Sequence, residues 1–296
     1  MSDSEPPTRG LRRVRVERAS GRLEDDVVVV EEPLEIRVQG EQVVVTMRTP
    51  LDDVELAAGF LFSEGLIEGP SDLARIEHVP NDAPERNADA DLEPRRRPVG
   101  NVLEVELTAE GRRRYAERRR EARAFPATSA CGVCGKPSLE DLWQRVPRLA
   151  PLACEEAALL AVIPRLPERM RRAQALFERT GGIHAAALFD LEGRLLDLRE
   201  DIGRHNAVDK VIGGALLADR LPLHQTILLS SGRAGYEIVQ KALCAAVPVV
   251  AAVGAASSLA LDVAQWGGMR LFSFVGRGTA SRHLGAAEAG VTEDGG

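Results

Sequence analysis

Apolar and polar positions alternate with strand period over residues 11–16. Shorter apolar runs at 27–30, 34–38 and 42–47, punctuated by Pro33 and Gly40, repeat that signature and predict a β-rich region. The period then changes: Leu56, Phe60 and Leu61 share one face of residues 52–63, which predicts a helix. Residues 80–98 hold almost no apolar side chain and four prolines, so they predict a flexible surface loop. Alternation returns over 101–107. The charged stretch 111–125 predicts a helix in which Glu117 and Glu121 offset the arginines at helical spacing, a solvated face rather than a nucleic-acid patch.

From residue 180 onward strands and helices alternate. A hairpin is expected from 183–189 and 194–198, joined at 190–193, followed by a helix over 205–217 with Val208, Val211, Ile212 and Ala215 at helical spacing. Strands at 226–230, 249–253 and 269–275 then enclose helices at 236–246 and 258–266. Such alternation requires a sheet with helices on both faces, hence an α/β class with a three-layer C-terminal domain and a smaller β-rich N-terminal region. The expected organisation is a disordered leader (1–10), a β-rich domain (11–125) with a flexible insertion (81–98), a cysteine loop and helical connector (126–179), an α/β domain (180–280) and a flexible tail (281–296).

Composition narrows the function. At 44% hydrophobic and 28% charged residues the 296-residue chain is ordinary for a globular protein, and it holds no apolar run of about 20 residues, so no membrane insertion is expected. The polar start MSDSEPPTRG lacks the apolar core of a secretory signal, which makes the cytoplasm the expected compartment. A net charge of −7 argues against nucleic acid as a partner. Lys136, Lys210 and Lys241 are the only lysines, so the positive charge is nearly all arginine, suited to planar contacts with phosphate or carboxylate.

Unusual residues fall where strands hand over to helices. The strand TILLS runs into Ser231, Gly232 and Arg233, VVAAV into a loop with Ser257 and Ser258, and LFSFV into Gly276 and Arg277. Small residues let backbone N–H groups approach a ligand, helix N-termini favour anions, and arginines add bidentate bonds, so the three loops together suggest a pocket for a phosphorylated ligand. Against this, glycines end strands and serines cap helices in many proteins. The segment EDIGRHNAVDK (200–210) offers His205 as an acid or base, or equally a capping and ion-pair network locking the hairpin to the helix. His184, in an apolar setting, is expected to make a buried structural hydrogen bond.

The pair Cys131 and Cys134 sits in SACGVCGKPSLED. Zinc would need a second ligand pair, which the chain lacks, so no metal site is expected. A zinc deaminase would need His-x-Glu and a proline before the cysteines, and a thioredoxin-like role a βαβ setting; neither is present. Ser138 and Asp141 predict a helix start whose dipole, with Lys136, would lower a thiol pKa and enrich the thiolate. Flanking glycines suit a carrier that meets two partners, while two buried free cysteines are the plain alternative.

In its motifs EEPLEI, LAAGFLFSEGLI, ACGVCGK, TGGIHAAAL, EDIGRHNAVDK, SSGRAGYEIVQKAL and SSLALDVA, the chain resembles the formate dehydrogenase accessory sulfurtransferase (FdhD) family over about residues 31–277. The resemblance implies a sulfurtransferase that passes sulfur from a cysteine desulfurase to the molybdenum bis(molybdopterin guanine dinucleotide) cofactor, its bound substrate, for formate dehydrogenase. It makes Cys131 the persulfide cysteine and Cys134 its assistant, and puts a cofactor-binding segment on Phe274, Val275, Gly276 and Arg277. A guanine nucleotide such as GDP is then an expected occupant of that site. The family's fold implies a cytidine deaminase-like C-terminal domain and a homodimer. Departures are the 81–98 insertion, Gly235 where serine is frequent, and the sequence after Arg277. A cofactor-binding chaperone without sulfur chemistry is the competing expectation, and a zinc-stabilised interaction module a third.

Overall fold

A computed structural model describes residues 10–79, 100–123 and 147–284, and elements are numbered along those residues. The 81–98 insertion and the cysteine loop lie outside them.

The chain opens with an antiparallel ribbon, β1 (Leu11–Glu17) and β2 (Leu23–Val29). A four-stranded sheet follows, in the order β4-β3-β6-β5, from β3 (Glu32–Val38), β4 (Glu41–Arg48), β5 (Leu73–Val79) and β6 (Val102–Leu107). Its strands read at period two because one face is buried: Leu34, Ile36 and Val38 of β3 meet Leu103, Val105 and Leu107 of β6 under helix α1 (Asp53–Ser63). Helix α2 (Ala109–Arg123) is the charged segment; among its described arginines, Arg114 reaches Asp72 at 2.8 Å and Arg119 reaches Glu41 at 3.0 Å.

The connector supplies α3 (Glu156–Val162), a 3-10 turn (Ile163–Arg165), α4 (Leu166–Ala173) and α5 (Ala175–Thr180). The rest forms a six-stranded sheet in the order β12-β11-β10-β9-β7-β8. Its strands are β7 (His184–Asp190), β8 (Leu195–Asp201), β9 (Thr226–Ser230), β10 (Val249–Ala252), β11 (Arg270–Gly276) and β12 (Thr279–His283). Only β9, β10 and β11 run parallel; the other pairings are antiparallel.

Helices α6 (Arg204–Leu217), α7 (Tyr236–Cys244) and α8 (Ser258–Gly267) cover one face of this sheet, packing Val208, Ile212, Val239 and Val263 on Leu228, Val250 and Leu271. Leu159, Ile163, Leu166 and Met170 cover the other, over Phe189, Ile227, Leu229 and Ala251. Burial on both sides explains why β9 and β10 read as unbroken apolar runs.

Two expectations need amendment. The flexible tail does not begin at 281, because β12 continues to His283 against β11, with Ser273 Oγ 2.7 Å from His283 Nε2. Its sequence TASRH carries almost no apolar signal, so backbone pairing rather than side-chain burial makes it a strand. Strand β5 has no counterpart in the hydrophobic pattern: LARIEHV lies at a sheet edge, and exposure blurs its alternation.

The N-terminal sheet and the C-terminal unit are joined by two helices in direct backbone contact. A Cβ on Gly59 of α1 would lie 1.9 Å from the Asp209 carbonyl oxygen of α6, and one on Gly213 of α6 would lie 1.9 Å from that of Glu55. Glycine at both positions lets the helices cross at this separation.

Candidate functional site

Because β9, β10 and β11 are parallel neighbours, their carboxyl ends stand side by side about 4.8 Å apart, and the three loops adjoin as expected. The loops are zipped together by their own backbone. Gly254 N–H donates to the Gly232 carbonyl (2.9 Å), Ala234 N–H to Ala255 (3.0 Å), Ser257 N–H to Ala234 (3.1 Å) and Phe274 N–H to Gly254 (3.1 Å). Those amides are committed inside the protein, so a bound anion depends more on side chains than the small-residue loops suggested.

Ser231 Oγ accepts the Ala185 N–H at 2.9 Å and touches His184 Nδ1 at 3.1 Å. Ser257 caps α8 by accepting from Ala260 N–H at 3.3 Å, while Ser258 is exposed at its first turn. Arg233 and Arg277 are exposed. At the end of β11 a bulge interrupts the pairing; Val275 is buried in the core, whereas the Phe274 ring is 60% exposed. Phe274 and Arg277 both have φ of 51°, the left-handed region, which costs of the order of 1–3 kcal/mol for a non-glycine residue and is often found at functional sites.

The segment 200–210 divides in two. Glu200, Asp201, Asn206 and Lys210 form the lock. Lys210 Nζ reaches Asp201 at 2.7 Å with both side chains fully buried, and donates to the Thr49 carbonyl at 3.0 Å. Asp201 also accepts Thr49 N–H (3.1 Å), and Asn206 donates to the Met47 carbonyl (2.7 Å). The network thus ties the hairpin to the helix and to the end of β4.

Arg204 and His205 face outward from the lock. His205 Nε2 lies 3.0 Å from Glu237 Oε2. The pair lines a cavity of about 250 Å³ between β4, α1, α6 and α7, with Asp209, Lys241 and Glu64. Burial first, then the charges of Arg204 and Lys241, lower the His205 pKa to about 4, so its ring is neutral near pH 7. Burial raises that of Glu237. Burial followed by the Arg204 charge also lowers that of His184. Lys241 is held by Asp209 at 2.7 Å.

Glu237 and Lys241 lie outside the residues the sequence points to, whereas Arg204 belongs to the 200–210 cluster expected to form an ion-pair network, in which no ion pair to it is found among the described residues. The signal for the first two was a charged (i, i+4) pair in a helix that is otherwise buried. Cys131 and Cys134, with Lys136, Ser138 and Asp141, lie outside the described residues. No helix among the described residues is long and apolar enough to cross a membrane.

The family model described as FdhD/NarQ family matches residues 29–282. The chain belongs to the FdhD/NarQ family. It is similar to the sulfur carrier protein FdhD of Mycolicibacterium paratuberculosis, 47% identical over 250 residues that cover 84% of this chain and 87% of that one. The corresponding protein of Corynebacterium efficiens is 44% identical over 266 residues, covering 90% and 91%. Among solved structures, a crystal structure described as that of a formate dehydrogenase accessory protein from Desulfotalea psychrophila shares the fold, with a TM-score of 0.64. It is 22% identical and covers 92% of this chain and 95% of its own. The FdhD/NarQ match spans both the strand-end loops and the two-cysteine segment.

Proposed function

We propose that this protein is a sulfur carrier that takes sulfur from a cysteine desulfurase as a persulfide on Cys131 and passes it to a molybdenum bis(molybdopterin guanine dinucleotide) cofactor destined for formate dehydrogenase. The observation that carries the reading is membership of the FdhD/NarQ family together with relatives named sulfur carrier proteins at 44–47% identity over most of the chain. In the loading step the Cys131 thiolate attacks the terminal sulfur of the desulfurase persulfide. The donor S–S bond breaks, the desulfurase thiolate leaves, and Cys131 carries the new S–S bond. Cys134 assists at the cysteine loop.

The cofactor is cargo, with its phosphates at the ends of β9, β10 and β11. The row of arginines there suits phosphate oxygens. A cytidine deaminase-like layering of the C-terminal unit, a homodimeric state and a cytoplasmic site of action belong to the same reading. In a direct test the protein is incubated with desulfurase and cysteine and its intact mass measured. One added sulfur on the peptide containing Cys131, absent from Cys131→Ala, is expected, and cells carrying that variant should lack formate dehydrogenase activity. A Cys131→Ala protein that still accepts sulfur and still activates the enzyme would refute the persulfide step.

The arginine rim also fits a chaperone that presents the cofactor without sulfur chemistry. That reading requires the Cys131→Ala, Cys134→Ala double variant to restore formate dehydrogenase activity in cells.

A further inference from the structure

Arg204 is the first residue of α6, and its side chain lies across the loop that leaves β9. A Cβ on Gly232 would meet Arg204 Cδ at 2.9 Å and its Cβ at 3.3 Å, with His184 Cε1 at 3.6 Å. The space a side chain would need at position 232 is filled by an arginine. The relation repeats one strand along, where a Cβ on Gly254 would meet Arg233 Cγ at 3.0 Å. Arginines and glycines therefore interleave along the carboxyl edge of β9 and β10.

Among the described residues, Arg204 differs from the other half-buried arginines in having neither a carboxylate nor a carbonyl partner; Arg270 also lacks an ion pair, but it donates to the carbonyls of Cys154 at 3.0 Å and Leu152 at 3.3 Å. Among the described residues no carboxylate lies within ion-pair distance of it, and its Nε is buried without a hydrogen-bond partner. Arg199 also buries a partnerless Nε, but it reaches Asp197 at 2.7 Å. The nearby carboxylate of Glu237 is engaged by His205. Partly shielding a guanidinium from water without a counter-charge is unfavourable, and an anion bound from outside offsets that cost. Burial first, and the Arg204 charge second, lower the pKa of both flanking histidines.

We propose that Arg204 binds a phosphate group of the ligand held at the carboxyl ends of β9 and β10. The inference rests on the strand ends being the cofactor site, and extends that site to a residue outside its three loops. The guanidinium supplies paired, charge-assisted N–H bonds to two phosphate oxygens, in the place the zipped loop amides leave unfilled.

The test titrates the full-length protein calorimetrically with GDP and, separately, with inorganic pyrophosphate, for wild type, Arg204→Gln and Arg204→Lys, and records the thermal midpoint of each variant without ligand. Arg204→Gln should weaken both probes about ten- to hundredfold, the equivalent of losing a charged hydrogen-bonded contact, and Arg204→Lys should recover part of the loss. The midpoint of Arg204→Gln without ligand should stay level or rise, because an unpaired, partly shielded charge has been removed; a structural role would lower it. Wild-type affinity for both probes in Arg204→Gln overturns the proposal and leaves the strand-end site standing. Weakened GDP with unchanged pyrophosphate also overturns it, since the contact would not be to phosphate. If the wild type binds neither probe, the strand-end site itself is wrong and the proposal falls with it; Cys131 loading is measured independently by mass.

Discussion

His205 and Lys210 lie five residues apart on α6 and respond differently to substitution. The unfolded chain protonates His205 below about pH 6.5, the folded one only below about 4. In that window the unfolded state holds more protons, so stability falls as the pH drops from 6.5 to 4. The loss is at most about 3 kcal/mol, less because a third of the side chain meets water. Glu237, whose pKa is raised, takes its proton earlier when folded and partly offsets this. Urea midpoints at pH 4.5 and 7 should therefore differ less for His205→Gln than for wild type; an equal difference would assign the acid sensitivity to other groups. Lys210 is a simpler case. Lys210→Met leaves Asp201 buried without its cation and should cost about 3–5 kcal/mol in urea unfolding.

Between elements, the α1–α6 crossing sets the tolerance for change. Gly59→Ala or Gly213→Ala places a methyl group 1.9 Å from a carbonyl oxygen of the facing helix and must push the helices apart. Either should lose at least about 2–3 kcal/mol or fail to accumulate as folded protein, measured by denaturant titration. Gly235→Ser is the contrast: φ is −86° and nothing lies within 4 Å of a Cβ there, so its midpoint should move by less than about 0.5 kcal/mol. This contrast also marks what the sequence reveals. Strands β9 and β10 were legible because double-sided burial writes itself as TILLS and VVAA, and α6 because its valines keep helical period. Strands β5 and β12 were not, since LARIEHV and TASRH lack a regular apolar alternation and are held as edge strands by backbone pairing, whereas the edge strand β4 keeps an apolar run in VVV. The site was half legible for a similar reason. Loops at strand ends follow from chain order, but the placement of Arg204 over Gly232, and of Glu237 beside His205, is set by tertiary packing between segments about 30 residues apart.

Across the whole molecule, the two sheets share one continuous scaffold. Helix α1 covers the N-terminal sheet and meets α6, and Leu216 of α6 belongs to the N-terminal core. Buried polar links from Thr49 to Asp201 and Lys210 reinforce the joint. Unfolding should therefore be a single transition, with far-UV circular dichroism and tryptophan fluorescence coinciding in urea; separated curves would mean that the two sheets fold independently. The zipped loops at the ends of β9 and β10 then acquire a thermodynamic meaning. A rim whose amides already satisfy one another has little left to order when a ligand arrives. Seating a phosphate on it should carry a small heat-capacity change, set by the surface the ligand itself covers, and an affinity that declines steeply with salt, the signature of a preformed electrostatic seat rather than one assembled by its guest.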